Sequence, residues 1–217
     1  MAFFRKKTYT GVTEETKEHL VLDAGVFFKN YDVEKDTVES ATEAGKLLGA
    51  TQGGGEFTAK PEIRYIEADG LKNKTKGFAV IDDYEVTMAA NMLEITEDIL
   101  VTTLSTATKD TSTNTKYTII KPKEDIQDSD YIDNITWIGC QTGSKEPIII
   151  QIFNALSQDG LSLKPQKKSE AVLAVNFAGH YDISNLDEPP FAIYYPVKTT
   201  TEPDLRTVIM NIIEYIP

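Results

Sequence analysis

Two histidines and a single cysteine are the side chains of this sequence best suited to catalysis or metal binding. His19 and His180 lie far apart, and neither belongs to a spacing such as HExxH that would present two ligands to one metal ion. His180 and Asp182 could form a His–Asp pair, but alternation along a strand places both at a strand end on the surface. Cys140 ends the apolar run 135–140 and is predicted to be a small buried core residue. As the lone cysteine, it cannot form an intramolecular disulfide bond.

The glycine run 53–55 could be mistaken for a phosphate-binding loop, but neither a Lys-Ser/Thr pair nor a helix pattern follows it. Acidic residues cluster at 82–83 and 124–125, where a solvated surface is the favoured interpretation. A cation site in 125–133 is the alternative, although that segment lacks the glycine and the final glutamate of an EF-hand loop. We therefore predict no catalytic residue, no cofactor-binding residue and no metal ligand, and we do not expect an enzyme.

The charge of the chain argues against nucleic-acid binding. Its 217 residues include 22 Lys and Arg against 34 Asp and Glu, which gives a net charge of −12. Phosphate affinity depends on Lys and Arg, so this chain could lie beside DNA but would repel it. The first ten residues lack the apolar stretch of a signal peptide, and no run approaches the roughly 20 apolar residues that span a bilayer. We therefore expect neither export by a signal peptide nor membrane binding.

Strands dominate the predicted secondary structure. Between Tyr84 and Leu93 apolar residues occupy every even position, which is the period of a strand with one buried face. The period changes at Thr96, a candidate N-cap, and an apolar stripe of helical spacing predicts a helix over 96–107. The pattern predicts a mostly β chain that forms a β-sandwich or barrel with one flanking helix. The predicted strands lie within 20–31, 56–69, 78–93, 116–121, 131–141, 147–157, 169–182, 191–195 and 207–216.

The sandwich domain is expected over 20–197, between an N-terminal arm, 1–19, and a C-terminal arm, 198–217. A long acidic loop, 32–55, interrupts the strands and ends in the glycine run. Loops of this length in compact domains are usually functional or disordered. The apolar strand 207–216 lies beyond a polar linker, so it is either a core strand of its own domain or a strand given to a neighbour.

Several motifs follow one another in a characteristic order. The segment LVLDAGVFFKNYD occupies 20–32, GKLLGATQGGGEFTAKPEIRYIEADG occupies 45–70, and KGFAVIDDYEVTMAANMLEIT occupies 76–96. Further along, GHYD at 179–182 is followed by EPPF at 188–191. In this order the motifs resemble the major tail tube proteins of long-tailed, siphovirus-type bacteriophages. The resemblance covers most of the chain and is weaker in its middle third.

This resemblance implies a tail-tube β-sandwich, a fold shared with the type VI secretion tube protein. It implies a structural virion protein whose hexameric rings stack into the tube that conducts DNA during ejection. The implied partners are further copies of the chain, the tape measure protein, and tail terminator and distal tail proteins, while DNA passes without specific binding. The expected location is the virion tail, after assembly in the host cytoplasm. The resemblance implies no enzymatic activity and no cofactor.

Two surfaces of such a tube can be assigned to residues. Alternation places Glu85 on the polar face of its strand and Glu62 on the polar side of 56–69, so both are expected to line the lumen. The outer surface is the alternative place for both carboxylates. The loop and the N-terminal arm are expected to form ring-to-ring contacts, because ordering a long loop with a glycine hinge costs entropy. The loop residues proposed for this contact are Glu34, Asp36, Glu39, Glu43, Leu47, Leu48, Gly53, Gly54 and Gly55.

A different class of function remains open alongside this one. An extracellular β-sandwich binding module, of the adhesin or carbohydrate-binding type, would share the predicted fold. It would predict a signal peptide, which the start of the sequence does not show, and an aromatic platform on one face. A hydrolase or metalloenzyme is the third possibility, and the missing motifs disfavour it.

Overall fold

Antiparallel strands form wherever apolar side chains alternate in the computed structural model, which describes residues 10–197 apart from Lys164, Gln166 and Ser169. The mostly β fold predicted from the sequence is confirmed. The predicted strand 207–216 and the whole C-terminal arm lie outside the described residues, as does most of the N-terminal arm. The described strands are β1 (Val26–Lys29), β2 (Thr51–Tyr65), β3 (Ala79–Met92), β4 (Ala107–Asp110), β5 (Ile119–Pro122), β6 (Ile132–Gly139), β7 (Ile148–Ser157), β8 (Leu173–Ala178) and β9 (Phe191–Tyr194).

One strand, β7, belongs to both layers of the sandwich. Its first part pairs with β6 on one side and β9 on the other, and its last residues, Leu156 and Ser157, pair with β8. The order along the sheet is β1-β6-β7-β8-β3-β2, and β4 and β5 form a separate hairpin. The sheet is therefore folded at β7, with β1, β6 and β9 on one side of the fold and β8, β3 and β2 on the other.

The two layers share one core. In β3 the residues Val86, Met88, Ala90 and Met92 are each at most 3 % exposed, which confirms the predicted alternation. They pack against apolar side chains of β1, β6, β7 and β8 in a single cluster. The remaining fully or nearly buried members of that cluster are Phe27, Leu48, Ile99, Ile135, Ile152, Ala155, Leu173, Val175 and Phe177.

The fold in β7 depends on Asn154, whose backbone is left-handed with φ of 47°. Its side-chain Nδ2 donates to the carbonyl of His180 at 3.1 Å, and the Nδ1 of His180 lies 2.9 Å from the Asn154 carbonyl. Because a carbonyl can only accept, that ring nitrogen carries the proton. The His180 amide also donates to the Phe153 carbonyl at 3.0 Å. These hydrogen bonds of His180 stabilise the bend. Asp182 accepts hydrogen bonds from the Ser184 amide and hydroxyl.

Two α-helices flank the strands within the described residues, α1 (Val38–Glu43) and α2 (Glu97–Thr103). The Thr96 hydroxyl caps α2 by accepting from the Ile99 amide at 3.2 Å, as predicted. The predicted end of this helix at 107 is wrong, because Ser105 adopts a left-handed φ of 64° and the chain then enters β4. Ile99 and Thr103 are the buried residues of α2, whereas Leu100 is half-buried and Ile95 is 40 % exposed. No helix of the described residues is long and apolar enough to cross a membrane.

The predicted loop 32–55 is shorter than expected, because its last five residues begin β2. The glycine run therefore lies in a strand, where Gly53 and Gly54 have left-handed φ values at a shift of register. Gly55 is needed for close approach, since a Cβ there would lie 2.3 Å from the Ala89 carbonyl oxygen and 2.5 Å from Phe27 Cζ. What the sequence presents as a hinge is a β-bulge that lets β2 lie against β1 and β3.

Two further predictions have opposite outcomes. The prediction that Cys140 is buried is wrong: the residue is exposed, because β6 ends at Gly139 and the chain leaves the sheet there. A proline within a strand pattern predicts a bulge or an edge, and Pro61 lies on β2, the last strand in the sheet order, beside a register shift between Glu62 and Ile63. An edge strand tolerates proline because its outer side needs no N–H donor for the sheet.

We predict that Gly25→Ala destabilises the protein strongly. Gly25 has a φ of 73°, and an added Cβ would lie 2.2 Å from Trp137 Nε1, which donates to the Ala24 carbonyl at 2.9 Å. Backbone strain and overpacking together should lower the free energy of unfolding by about 3 kcal/mol or more. The matched control is Gly45→Ala, at φ of 71° with nothing within 4 Å, which should cost only about 1–2 kcal/mol. Equal losses in urea denaturation would contradict the contact with Trp137.

Candidate functional site

A two-stranded ribbon projects from the sandwich, because β2 and β3 are longer than the strands beside them. β3 pairs with β2 from Ala79 to Met92 but with β8 only from Thr87 onward. The ribbon is held at its base, where the Gly179 amide donates to the Val86 carbonyl at 3.0 Å and the Tyr84 amide lies 3.0 Å from the Tyr181 hydroxyl. Beyond Tyr84, no third strand of the described residues pairs with it.

The outward face of this ribbon brings together the two carboxylates that the sequence assigned to a lumen. Glu85 lies opposite Lys60, at 3.5 Å between Oε2 and Nζ, and Glu62 lies opposite Asp83 on the neighbouring row. Lys60 and Glu85 are each 72 % exposed, so their attraction is weak. Two carboxylates directly opposite each other repel. With Glu56 on the same face, four carboxylates face water with one lysine among them, and the surface is acidic.

A bulge in β3 sets the direction of the outer ribbon. The register passes from Glu62 opposite Asp83 to Ile63 opposite Ile81, so Asp82 is the extra residue. Its carboxylate accepts two hydrogen bonds from Arg64, at 2.7 Å from Nε and 2.9 Å from Nη2. This bidentate pair lowers the pKa of Asp82. A bulge fixed in this way bends the ribbon and increases its twist.

Apolar side chains continue along the ribbon past the point where the sandwich covers them. Ile63 and Ile81 face each other across the strands and are 46 % and 49 % exposed. Ile66, Phe78 and Val80 are exposed as well. Alternation puts Ile63 and Ile81 on one face of the ribbon and the other three on the opposite face, so both faces carry exposed apolar side chains, as is typical of a surface that contacts another protein.

The outer edge of β2 has no partner strand among the described residues and is open beyond the glycine run, whereas the other end of the sheet is closed. At that closed end the Lys29 amide donates to the Lys46 carbonyl and the Leu48 amide to the Phe27 carbonyl, each at 2.9 Å, which covers β1. β2 has 15 residues, and no strand of the described residues pairs with its far side. An exposed edge of this length presents unpaired backbone groups on which another chain can add a strand.

Hydrogen bonds and an ion pair fix the conformation of the loop after β1. The Tyr31 hydroxyl donates to the Asp36 carbonyl at 2.9 Å, and the Asp36 carboxylate accepts from the Asp32 amide at 2.8 Å and pairs with Lys46. The hydrogen bond from the Asp32 amide and then the Lys46 ammonium lower the pKa of Asp36. α1 follows and buries Ala41 completely.

The structure separates the residues proposed for ring-to-ring contact into three groups. Glu34, Glu39 and Glu43 are exposed on the loop and on α1. Leu48 and Gly54 are buried in the chain's own interior, so the expectation that these two touch a neighbour is corrected. Of the remaining four residues, Asp36 and Leu47 are half-buried, and Gly53 and Gly55 are exposed within β2.

The acidic segment before β6 is organised around one ion pair. Asp130 pairs with Lys123 and also accepts from the Gln127 amide at 2.8 Å, and both contacts lower its pKa. Glu124, Asp125 and Asp128 are exposed beside it. Among residues 10–197, where described, no group of three or more His, Cys, Asp or Glu side chains is placed to hold a metal ion.

Sequence reasoning missed the projecting ribbon, although one signal for it exists. Two alternating stretches of similar length, 56–69 and 78–93, flank the cationic turn 70–77, and this pattern indicates a hairpin longer than an ordinary sheet needs. The bulge at Asp82 and the bend at Asn154 have no comparable signal.

In comparisons with known proteins, no family model matches the chain, and no curated protein matches it in sequence.

We predict that Asp36→Asn destabilises the protein at neutral pH and not in acid. Because the folded-state pKa of Asp36 lies below its unfolded value, its stabilisation is present above the unfolded pKa and is lost as the pH falls through the folded pKa. The melting temperature of the variant should therefore lie below wild type at pH 7, and the gap should close below about pH 4. Glu34→Gln, an exposed carboxylate on the same loop, is the control and should show no gap. A pH-independent gap for Asp36→Asn would contradict stabilisation by the contacts of the Asp36 carboxylate with the Asp32 amide and Lys46.

Proposed function

We propose that this protein is a structural subunit that polymerises as stacked rings into the tail tube of a long-tailed bacteriophage. The observation that carries the proposal is the outer edge of the 15-residue strand β2, which has no partner strand among the described residues and runs on into a ribbon with exposed apolar side chains. A stable monomer usually protects such an edge with charges, a bulge or a covering segment. Here Pro61 and the bulges protect it only locally.

Pairing of sheet edges from subunit to subunit gives a closed ring when the rotations between neighbouring subunits add up to one full turn. Closure removes the open edges, in the same way as a β-barrel does. The resemblance of the sequence to tail tube proteins supports six subunits per ring, with the tape measure protein inside and tail terminator and distal tail proteins at the tube ends. The tube belongs to the virion and is assembled in the host cytoplasm.

The acidic outward face of β2 and β3 suits the wall of a channel for DNA. A carboxylate and a phosphate at 4 Å repel by only about 1 kcal/mol in water. Repeated in every subunit of every ring, this repulsion makes a sleeve that DNA does not bind, because binding requires Lys and Arg to displace counterions. We assign Glu62 and Glu85 to this wall.

The exposed carboxylates of the loop and α1 suit the contact between rings. Glu34, Glu39 and Glu43 lie on a segment that is anchored by Asp36 and Lys46, so they are presented on a fixed support. A preorganised segment loses little entropy when it forms a contact.

A carbohydrate-binding module is the second candidate, and one cavity favours it. About 530 Å³ of space beside Tyr194 is lined by Asp32, Asn134 and Gln151, side chains that can bond sugar hydroxyls. The Gln151 amide is already engaged, however, since it donates to the Tyr31 carbonyl at 2.9 Å and the Thr136 hydroxyl at 2.8 Å. Electron microscopy of purified protein separates the two: tubes or rings support the first function, and monomers that bind glycans support the second.

We predict that Glu62→Lys combined with Glu85→Lys, introduced into the phage, leaves tails intact but slows DNA ejection. The reason is that lysines on the channel wall would attract phosphates and release counterions, so the delay should shrink as the salt concentration rises. Ejection is followed by the fluorescence of a DNA-binding dye in released genomes.

The control for this experiment is Glu146→Lys combined with Asp187→Lys, which makes the same change of charge at exposed positions off the ribbon face. Its ejection should match wild type. Normal ejection from tails that carry the Glu62 and Glu85 substitutions would remove both residues from the channel wall.

A further inference from the structure

The tip of the ribbon carries a cationic turn. Lys72, Lys74 and Lys76 are exposed within five residues, and none of them forms an ion pair with another described residue. The turn is ordered locally, because the Thr75 hydroxyl donates to the Lys72 carbonyl and the Lys74 ammonium lies 5.9 Å from the centre of the Tyr65 ring. The preceding carboxylates at 67 and 69 reduce the net charge of the tip but leave it positive on a strongly acidic chain.

An acidic segment with a matching character precedes β6. Glu124, Asp125 and Asp128 are exposed and form no ion pair with a described residue, and Ile126 between them is 57 % exposed. Acidic side chains around an apolar one complement the ribbon, where lysines at the tip adjoin exposed isoleucines. Complementary charge of this kind orients a contact more than it strengthens it.

Strand directions place the tip and this segment at opposite ends of the sandwich. β3 runs from the tip towards Met92, and β8, β7 and β6 follow it in the sheet, each antiparallel to the one before. β6 therefore runs towards the end from which the ribbon projects. The segment that precedes its first residue, Ile132, lies at the other end.

We infer that the ribbon tip of one copy of this chain docks on the segment 124–128 of a second copy. The inference rests on the proposed function and adds to it which surfaces join one ring to the next. Because the two surfaces differ and lie at opposite ends, docking leaves the acidic segment of one copy and the ribbon tip of the other copy free. A heterologous contact of this kind continues indefinitely and gives all subunits the same direction along the tube. The loop with Glu34 follows β1, which runs antiparallel to β6, so it lies at the same end as the acidic segment.

The test is a charge swap between two variants of the full chain. The tip variant carries Lys72→Glu, Lys74→Glu and Lys76→Glu, and the segment variant carries Glu124→Lys, Asp125→Lys and Asp128→Lys. Each alone should raise the critical concentration for assembly by about tenfold or more, measured by sedimentation. An equimolar mixture should assemble near the wild-type concentration, because each reversed tip then meets a reversed segment.

A control variant with the same change of charge shows whether the effect depends on the tip. Lys116→Glu with Lys145→Glu and Lys167→Glu gives the same charge change at exposed positions outside the tip and the segment and should assemble like wild type. All substituted side chains are exposed, so unchanged melting temperatures confirm folding of every variant. A tip variant that assembles normally, or a mixture that does not recover, would overturn the docking contact while leaving tubes of the wild type intact. Open chains of wild-type protein without closed rings, disrupted in each variant and restored in the mixture, would contradict the tube and support the contact, and monomers throughout would contradict both.

Discussion

The structure depends on one strand that serves two layers. β7 can leave β9 and join β8 only because Asn154 takes a left-handed conformation, and the hydrogen bonds between Asn154 and His180 hold that bend. This bend sets the positions of the next three strands: β8 lies beside the end of β7, β3 beside β8, and β2 beside β3. The inner faces of the two layers then meet in one core, and β2 becomes the final strand, with no described strand paired to its outer side.

The open edge connects the fold to the proposed assembly. This chain leaves the outer side of β2 without a partner strand beyond the glycine run, and it covers the opposite end of the sheet, so the two edges differ. The covered end uses the loop between β1 and β2, which is held by Asp36 and Lys46 and buries Leu48 in the core. The same loop presents exposed carboxylates on its outer side. Closing one edge and exposing the other suits a subunit whose sheet is completed by its neighbours.

Most of the fold could be predicted from the sequence, because side-chain alternation is local and strong. The even positions from Tyr84 to Met92 identified β3 and its buried face, and Thr96 identified the start of α2. Predictions failed where a backbone conformation is imposed by distant contacts. The glycine run at 53–55 suggested a hinge but forms a bulge against Phe27 and Ala89, and Cys140 lies just outside the strand that its apolar neighbours suggested. Of the candidate site, Glu62 and Glu85 were placed on one polar face correctly, but the length of the ribbon depends on where β8 ends, which no local pattern fixes.

The most direct test of the central claim is hydrogen–deuterium exchange of the β2 amides in assembled and dilute protein. An unpaired edge exposes amides to solvent, whereas pairing with a neighbouring chain protects them. The account predicts that protection of residues 51–65 rises on assembly, while that of β6 and β7, already inside the sheet, stays unchanged. Assembled protein in which residues 51–65 exchange as fast as in the dilute chain would contradict assembly through this edge.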